Sequence, residues 1–168
     1  MGTIPYEAKY FLQEIGYNFL PNEMGAAFGN AQLEKLERFK EIRKRNFNVL
    51  LDFFRRFEKF FILPKQDPRV KTQWLAFPLT IKNDAPFTRL ELVTYLEKNN
   101  IQTRPIFTGN ILRQPGFRSI PHRITKNGCP VTDNIMERGF VVGCHHGLRQ
   151  EHLKKLKKVF NLFLDKYS

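Results

Sequence analysis

A chain of 168 residues, 42% hydrophobic and 14% aromatic, has enough apolar side chain for a real core, which excludes a disordered segment and makes one compact domain the starting expectation. Its formal charge of +12 would concentrate anionic partners such as nucleic acid, acidic lipid headgroups or a nucleotide-sugar diphosphate, without choosing among them. No stretch approaches the roughly 18 consecutive apolar residues of a membrane span, and no basic start leads into an apolar run, so the cytoplasm is the expected compartment.

Asn22 is a good N-cap, and Glu23 complements the dipole of the helix that should follow. Gly25, Ala26, Ala27, Gly29 and Ala31 would let that helix approach a neighbouring element closely. Leu36, Phe39 and Ile42, then Phe47, Leu50, Leu51, Phe54 and Phe57, recur at three- and four-residue steps and predict a long helix, with a kink near Arg45 and Asn46. Gln73 to Ile81 reads as a strand that Pro78 moves toward a sheet edge. Thr88 and Glu91 form a capping box, with Phe87 and Leu92 spaced as a hydrophobic staple, so a helix should run to Lys98 and stop at Asn99-Asn100. Ile101 to Ile106 is a short strand, and Thr108 to Phe117 a loop with room for a single turn. Ser119 to Thr132, broken by Pro121, Gly128 and Pro130, reads as an irregular surface segment. Phe140 to Gly143 is a brief buried strand, and Leu153, Leu156, Val159, Phe160 and Phe163 mark a last amphipathic helix.

This order predicts an α/β class with an α+β small domain: a small sheet covered on one face by helices, entered by a long connecting helix. Residues 1–35 fit it poorly and read as the end of a different structural unit. The basic residues of Lys35 to Lys59 and Lys154 to Lys166 alternate with apolar ones at helical spacing, as on a solvated face. Cys129 and Cys144 have neither CxxC nor zinc-finger spacing and are expected to be plain thiols with no metal or redox role. His145-His146 could suggest a metal or acid-base pair, but adjacent side chains point to opposite faces of a strand, which argues against one shared metal.

Four segments carry a resemblance in the right order. They are Gly16-Tyr17-Asn18 with Glu23 to Leu33, Trp74 to Pro78, Thr103 to Asn110 with Arg113-Gln114-Pro115, and Gly143 to Leu148. Together they resemble the DegT/DnrJ/StrS family of fold-type-I, pyridoxal-phosphate-dependent enzymes acting on nucleotide-linked 4-keto-6-deoxy sugars. The resemblance implies that Asn18 reaches across a homodimer interface to the cofactor phosphate in a partner's active site, a role suited to a neutral amide donor. Amino-transferring members usually carry an Arg two residues further on to clamp a donor carboxylate, where this chain has Leu20. The Arg104 to Pro115 stretch looks most like the sugar 3-dehydratase branch of lipopolysaccharide O-antigen formation, which eliminates the C3 hydroxyl of a CDP- or GDP-linked sugar. Arg104, Thr108, Asn110 and Arg113 could then bind sugar hydroxyls or diphosphate, although capping and surface roles suit them equally. Either His145 or His146 could touch substrate, with a structural role as the alternative.

The family's cofactor-binding core and its catalytic Lys, or the His replacing it in dehydratases, precede Gly-Tyr-Asn, so no catalytic residue is assigned in this chain. It should therefore be the C-terminal part of such an enzyme, binding a nucleotide-diphosphate sugar and needing an N-terminal partner polypeptide for pyridoxal or pyridoxamine phosphate chemistry. A sugar aminotransferase part and a non-catalytic basic binding module remain as alternatives. Against the module, there is no RNA-platform motif, zinc spacing or helix-turn-helix, so nucleic acid is a poor candidate partner.

Overall fold

The computed structural model describes Tyr17, Phe19 and residues 21–167. Asn18 and Leu20 lie outside the described residues. The chain divides into two compact units, Met1–Leu36 and Glu37–Ser168. In the first, α1 (Glu23–Leu33) starts where the cap predicts, with Asn22 Oδ1 accepting from the Gly25 amide at 2.7 Å. None of its residues is buried.

The second unit is built on α2 (Leu36–Arg55), whose helical run is uninterrupted at Arg45 and Asn46, where the sequence suggested a kink. Asn46 is instead a fully buried anchor: its Nδ2 donates to the carbonyls of His145 at 3.0 Å and Leu148 at 3.2 Å. The sheet has the order β1 (Phe61–Ile62), β2 (Ala76–Ile81), β4 (Gly139–Gly143), β3 (Thr103–Pro105), and every neighbouring pair is antiparallel. Helices α3 (Arg89–Lys98), α4 (Pro130–Arg138) and α5 (Gln150–Leu164) complete the unit.

Alternation along β2 buries Phe77, Leu79 and Ile81 and leaves Ala76, Pro78 and Thr80 half-exposed. Phe77 and Leu79 pair with Val142 and Phe140 of β4, so the four side chains share the buried face. Helices α2 and α5 meet that face through Phe54, which stacks on Phe77 at 5.4 Å and meets the edge of Phe160 at 4.8 Å. Phe87 packs edge-on to Phe163 at 5.2 Å, tying the start of α3 to α5. Burying a Phe this fully is worth about 1.5–3 kcal/mol, and Phe54, Phe61, Phe77, Phe140 and Phe160 all reach that state, so the aromatic composition is spent on this core.

Three further expectations are corrected. β2 is not an edge strand; β1 pairs only with Thr80 and Ile81, so the donor missing at Pro78 falls outside the stretch β1 covers. The strand also starts at Ala76 rather than Gln73, because Trp74 turns away to stack on Phe47 at 4.4 Å and donate to Gln66 Oε1 at 3.0 Å. The segment read as irregular to Thr132 gives way to α4 at Pro130, a residue suited to a first helical turn because its missing N–H has no partner to lose there. Among the described residues no helix is long and apolar enough to cross a membrane.

Candidate functional site

The chain from β3 to α4 is organised by one carboxylate that the sequence did not single out. Asp133, in the first turn of α4, accepts from Arg113 Nε at 3.0 Å and Nη2 at 2.7 Å, a bidentate pair, and from Asn110 Nδ2 at 2.7 Å. Asn110 is buried, and its Oδ1 accepts the Leu112 amide at 3.1 Å, capping the short 3-10 turn Ile111–Arg113. These hydrogen bonds, from Arg113 first and Asn110 second, hold the Asp133 carboxyl down at about 2, so it is ionised at neutral pH. The same pairing pushes the Arg113 guanidinium up. The three residues border an open cleft of about 330 Å³ whose other walls include His122, Asn127 and Cys129.

Two backbone features fix this loop. Gly109 has φ +66°, and a Cβ there would come within 2.4 Å of Met136 Cγ, so only glycine lets the loop lie against α4. Phe107 also sits in the left-handed region, at φ 49°, with its ring 93% exposed. A bulky side chain in that conformation costs about 1–3 kcal/mol, and no neighbouring residue signals it. Thr108 is exposed, and its carbonyl accepts from Gln114 Nε2 at 2.8 Å. Arg104 projects from edge strand β3 and is exposed; its charge helps lower the Glu97 carboxyl, after the larger contributions of the Thr103 hydroxyl and amide.

His145 and His146 occupy a turn just beyond β4. His146 stacks on Phe39 of α2, with ring centroids 3.8 Å apart, and its Nδ1 lies 3.3 Å from Arg43 Nη2. His145 Nδ1 accepts the Gly147 amide at 3.1 Å. Burial first, then the positive charges of His146, Arg43 and His152, push the His145 pKa down, so its neutral form dominates at pH 7. Cys144 beside them is fully buried, and desolvation raises its thiol to about 12, which keeps it protonated and unreactive. Among the described residues no His, Cys, Asp and Glu are grouped closely enough to hold a metal ion.

The register separates these candidates into two groups. Pro105 pairs with Phe140, so the loop carrying Thr108, Asn110 and Arg113 leaves the sheet beside the start of β4. The histidines follow its other end, and the five residues of β4 span roughly 13 to 17 Å. Asn18, the residue expected at a cofactor phosphate, lies outside the described residues.

A 37% identity over 165 residues, 97% of this chain and 38% of the relative, links the chain to the lipopolysaccharide biosynthesis protein RfbH of Salmonella typhimurium. The dTDP-4-dehydro-2,6-dideoxy-D-glucose 3-dehydratase of Saccharopolyspora spinosa is 34% identical over 170 residues, 100% of this chain and 36% of the relative. A solved E. coli GDP-4-keto-6-deoxy-D-mannose-3-dehydratase with bound hydrated PLP superimposes with a TM-score of 0.80 at 28% identity, covering 92% of this chain and 39% of that one. The chain thus spans less than two fifths of the length of these relatives. The model of the DegT/DnrJ/EryC1/StrS aminotransferase family matches residues 2–161, across both units, and the chain belongs to that family.

Proposed function

We propose that this chain is the C-terminal part of a pyridoxal- or pyridoxamine-phosphate-dependent nucleotide-sugar 3-dehydratase, acting in the cytoplasm on a CDP- or GDP-linked 4-keto-6-deoxyhexose of O-antigen formation. The observation that carries the reading is the likeness to RfbH and to named sugar 3-dehydratases at 32% to 37% identity over most of the chain. Leu20 supports it, because a glutamate-using transaminase would want a cation at that position to hold the donor carboxylate. A sugar aminotransferase part is the weaker reading, since the aminotransferase structures that resemble the chain do so at 16% to 17% identity and share the fold alone.

In this reading residues 1–35 end the large cofactor domain, and residues 36–168 form the connecting helix and small domain. The donor set fits the cofactor: an amide such as Asn18 pairs well with phosphate oxygens. When bound, the cofactor supplies the electron sink for loss of the sugar C3 hydroxyl. What the described residues contribute is binding. The exposed part of the Arg113 guanidinium, with Asp133 holding its other edge, presents a fixed cation at the mouth of the cleft. Arg104, on β3, and Thr108, in the loop that follows, add exposed donors. The catalytic base and the remaining cofactor contacts come from polypeptide beyond these 168 residues, in a homodimer with shared active sites.

The test is to express the chain alone and together with the polypeptide encoded immediately upstream, add pyridoxal phosphate, and record bound-cofactor absorption after gel filtration. Cofactor retained only by the pair, with 3-dehydration of CDP- or GDP-4-keto-6-deoxyhexose, is the expected result. A pair that retains no cofactor would overturn the reading, and glutamate-dependent amino transfer would replace it with the aminotransferase.

A further inference from the structure

Strand β1 is an edge of the sheet, bonded to β2 on one side and to no strand among the described residues on the other. The Lys82 amide donates to the Phe60 carbonyl at 2.9 Å, so in this antiparallel ladder Phe60 and Ile62 turn their backbone groups toward β2 and Phe61 turns its carbonyl outward. Leu63, next on the outward side, has neither its amide nor its carbonyl hydrogen-bonded among the described residues. Beside this edge lies an open cleft of about 650 Å³, floored by half-buried Leu51 and Leu63. Leu51, Pro64 and Gln66 also border a second cleft, of about 420 Å³, so one groove continues along α2 to Trp74. Glu58 is the single acid lining the first cleft, against Arg55, Lys65 and Lys82, and Arg55 is held by Asp52 at 2.9 Å. Lys65 and Lys82 form no ion pair among the described residues. In the second cleft Lys44 and Lys71 are likewise unpaired against Glu41, while Glu37 is taken by Lys40 at 2.6 Å.

We infer that this groove docks an extended acidic segment of another polypeptide, which adds a strand to β1. The backbone of the segment pairs with the Phe61 carbonyl and with both polar groups of Leu63. Its apolar side chains cover Leu51 and Leu63, and its carboxylates reach Lys65 and Lys82. A strand of two residues, followed by Pro64 and Lys65, is guarded against pairing with its own kind, since short length, proline and lysine are what keep exposed edges from self-association. A second copy would bring a second set of edge lysines in a chain of charge +12, whereas an acidic segment turns the same lysines into attraction. A nucleic acid strand would meet the lysines but brings no row of amides for the open carbonyls. The groove shares no lining residue with the Arg113 cleft, and the inference stands independently of the enzymatic reading, since its test reads binding to this chain alone.

The experiment follows the backbone amide resonances of the chain by NMR as a capped octapeptide of alternating Glu and Val is added at constant ionic strength. Saturable shifts centred on Ile62 and Leu63 are expected, with slowed hydrogen exchange of the Leu63 amide. Lys65→Glu combined with Lys82→Glu should weaken binding by about tenfold, two attractions having become repulsions, while Lys154→Gln on α5 leaves it unchanged. The same peptide N-methylated at every amide keeps its charge and side chains and should bind no better than an octapeptide of alternating Lys and Val. Shifts that never saturate, or undiminished binding by the N-methylated peptide or by the lysine peptide, would overturn the site. Tighter binding of an oligothymidylate of equal charge at the same residues would replace the acidic segment with a nucleic acid.

Discussion

Asp133 shows how a single carboxylate can govern a loop. Its pKa in the fold is about 2, below the ordinary value of 3.8, so the pairing contributes fully above the unfolded value and is lost as pH falls through about 2. A carboxyl NMR titration of the chain should find that low midpoint. Arg113→Gln removes the largest cause and should move it up toward the ordinary range, with Asn110→Ala giving a smaller rise; an unmoved midpoint in Arg113→Gln would mean that another group holds the charge. Arg113 and Asn110 were legible as candidates because they fall in a stretch with a family resemblance. Asp133 was not, since it lies 20 residues beyond Arg113, just past the segment read as irregular to Thr132, and nothing local to either residue announces the pair. Phe107 was missed for a related reason: a left-handed φ at a bulky residue is imposed by the surrounding loop, and no sequence propensity favours it.

At the scale of elements, local signals succeeded where a helix or strand is specified by its own residues. The α3 capping box forms as read, with the Glu91 amide donating to Thr88 Oγ1 at 3.2 Å and the Thr88 amide to Glu91 Oε2 at 2.7 Å. The apolar stripes of α2 and α5 likewise mark their buried faces. Elements defined by partners were invisible: β1 is two residues long and exists because Thr80 and Ile81 offer it a ladder. Asn46 belongs to the same class. In sequence it looks like a weak point in a helix, whereas its side chain joins α2 to the turn after β4. Asn46→Ala should therefore lower stability by about 1–3 kcal/mol in urea denaturation, because it strands two carbonyls rather than shortening a side chain. It should also broaden the His145 and His146 signals. A change below about 0.5 kcal/mol would show that water replaces the amide without loss.

For the whole molecule, the distribution of burial is more telling than the charge. Among the described residues, every one in the buried core falls between Phe47 and Leu164, within the unit Glu37–Ser168, while the large apolar side chains of α1, Met24 and Phe28, are 82% and 69% exposed. Folding free energy tracks apolar surface removed from water, so the second unit holds the terms that offset chain entropy. A polypeptide of residues 37–168 should therefore unfold cooperatively, with a urea midpoint close to that of the full chain and an unchanged slope for the transition. The full chain should bind a dye for exposed apolar surface more strongly than the shortened one, because the side chains around α1 contribute surface without contributing core. A shortened chain that loses its cooperative transition would show instead that residues 1–36 stabilise the sheet and its helices, and would place part of the folding energy in the first unit.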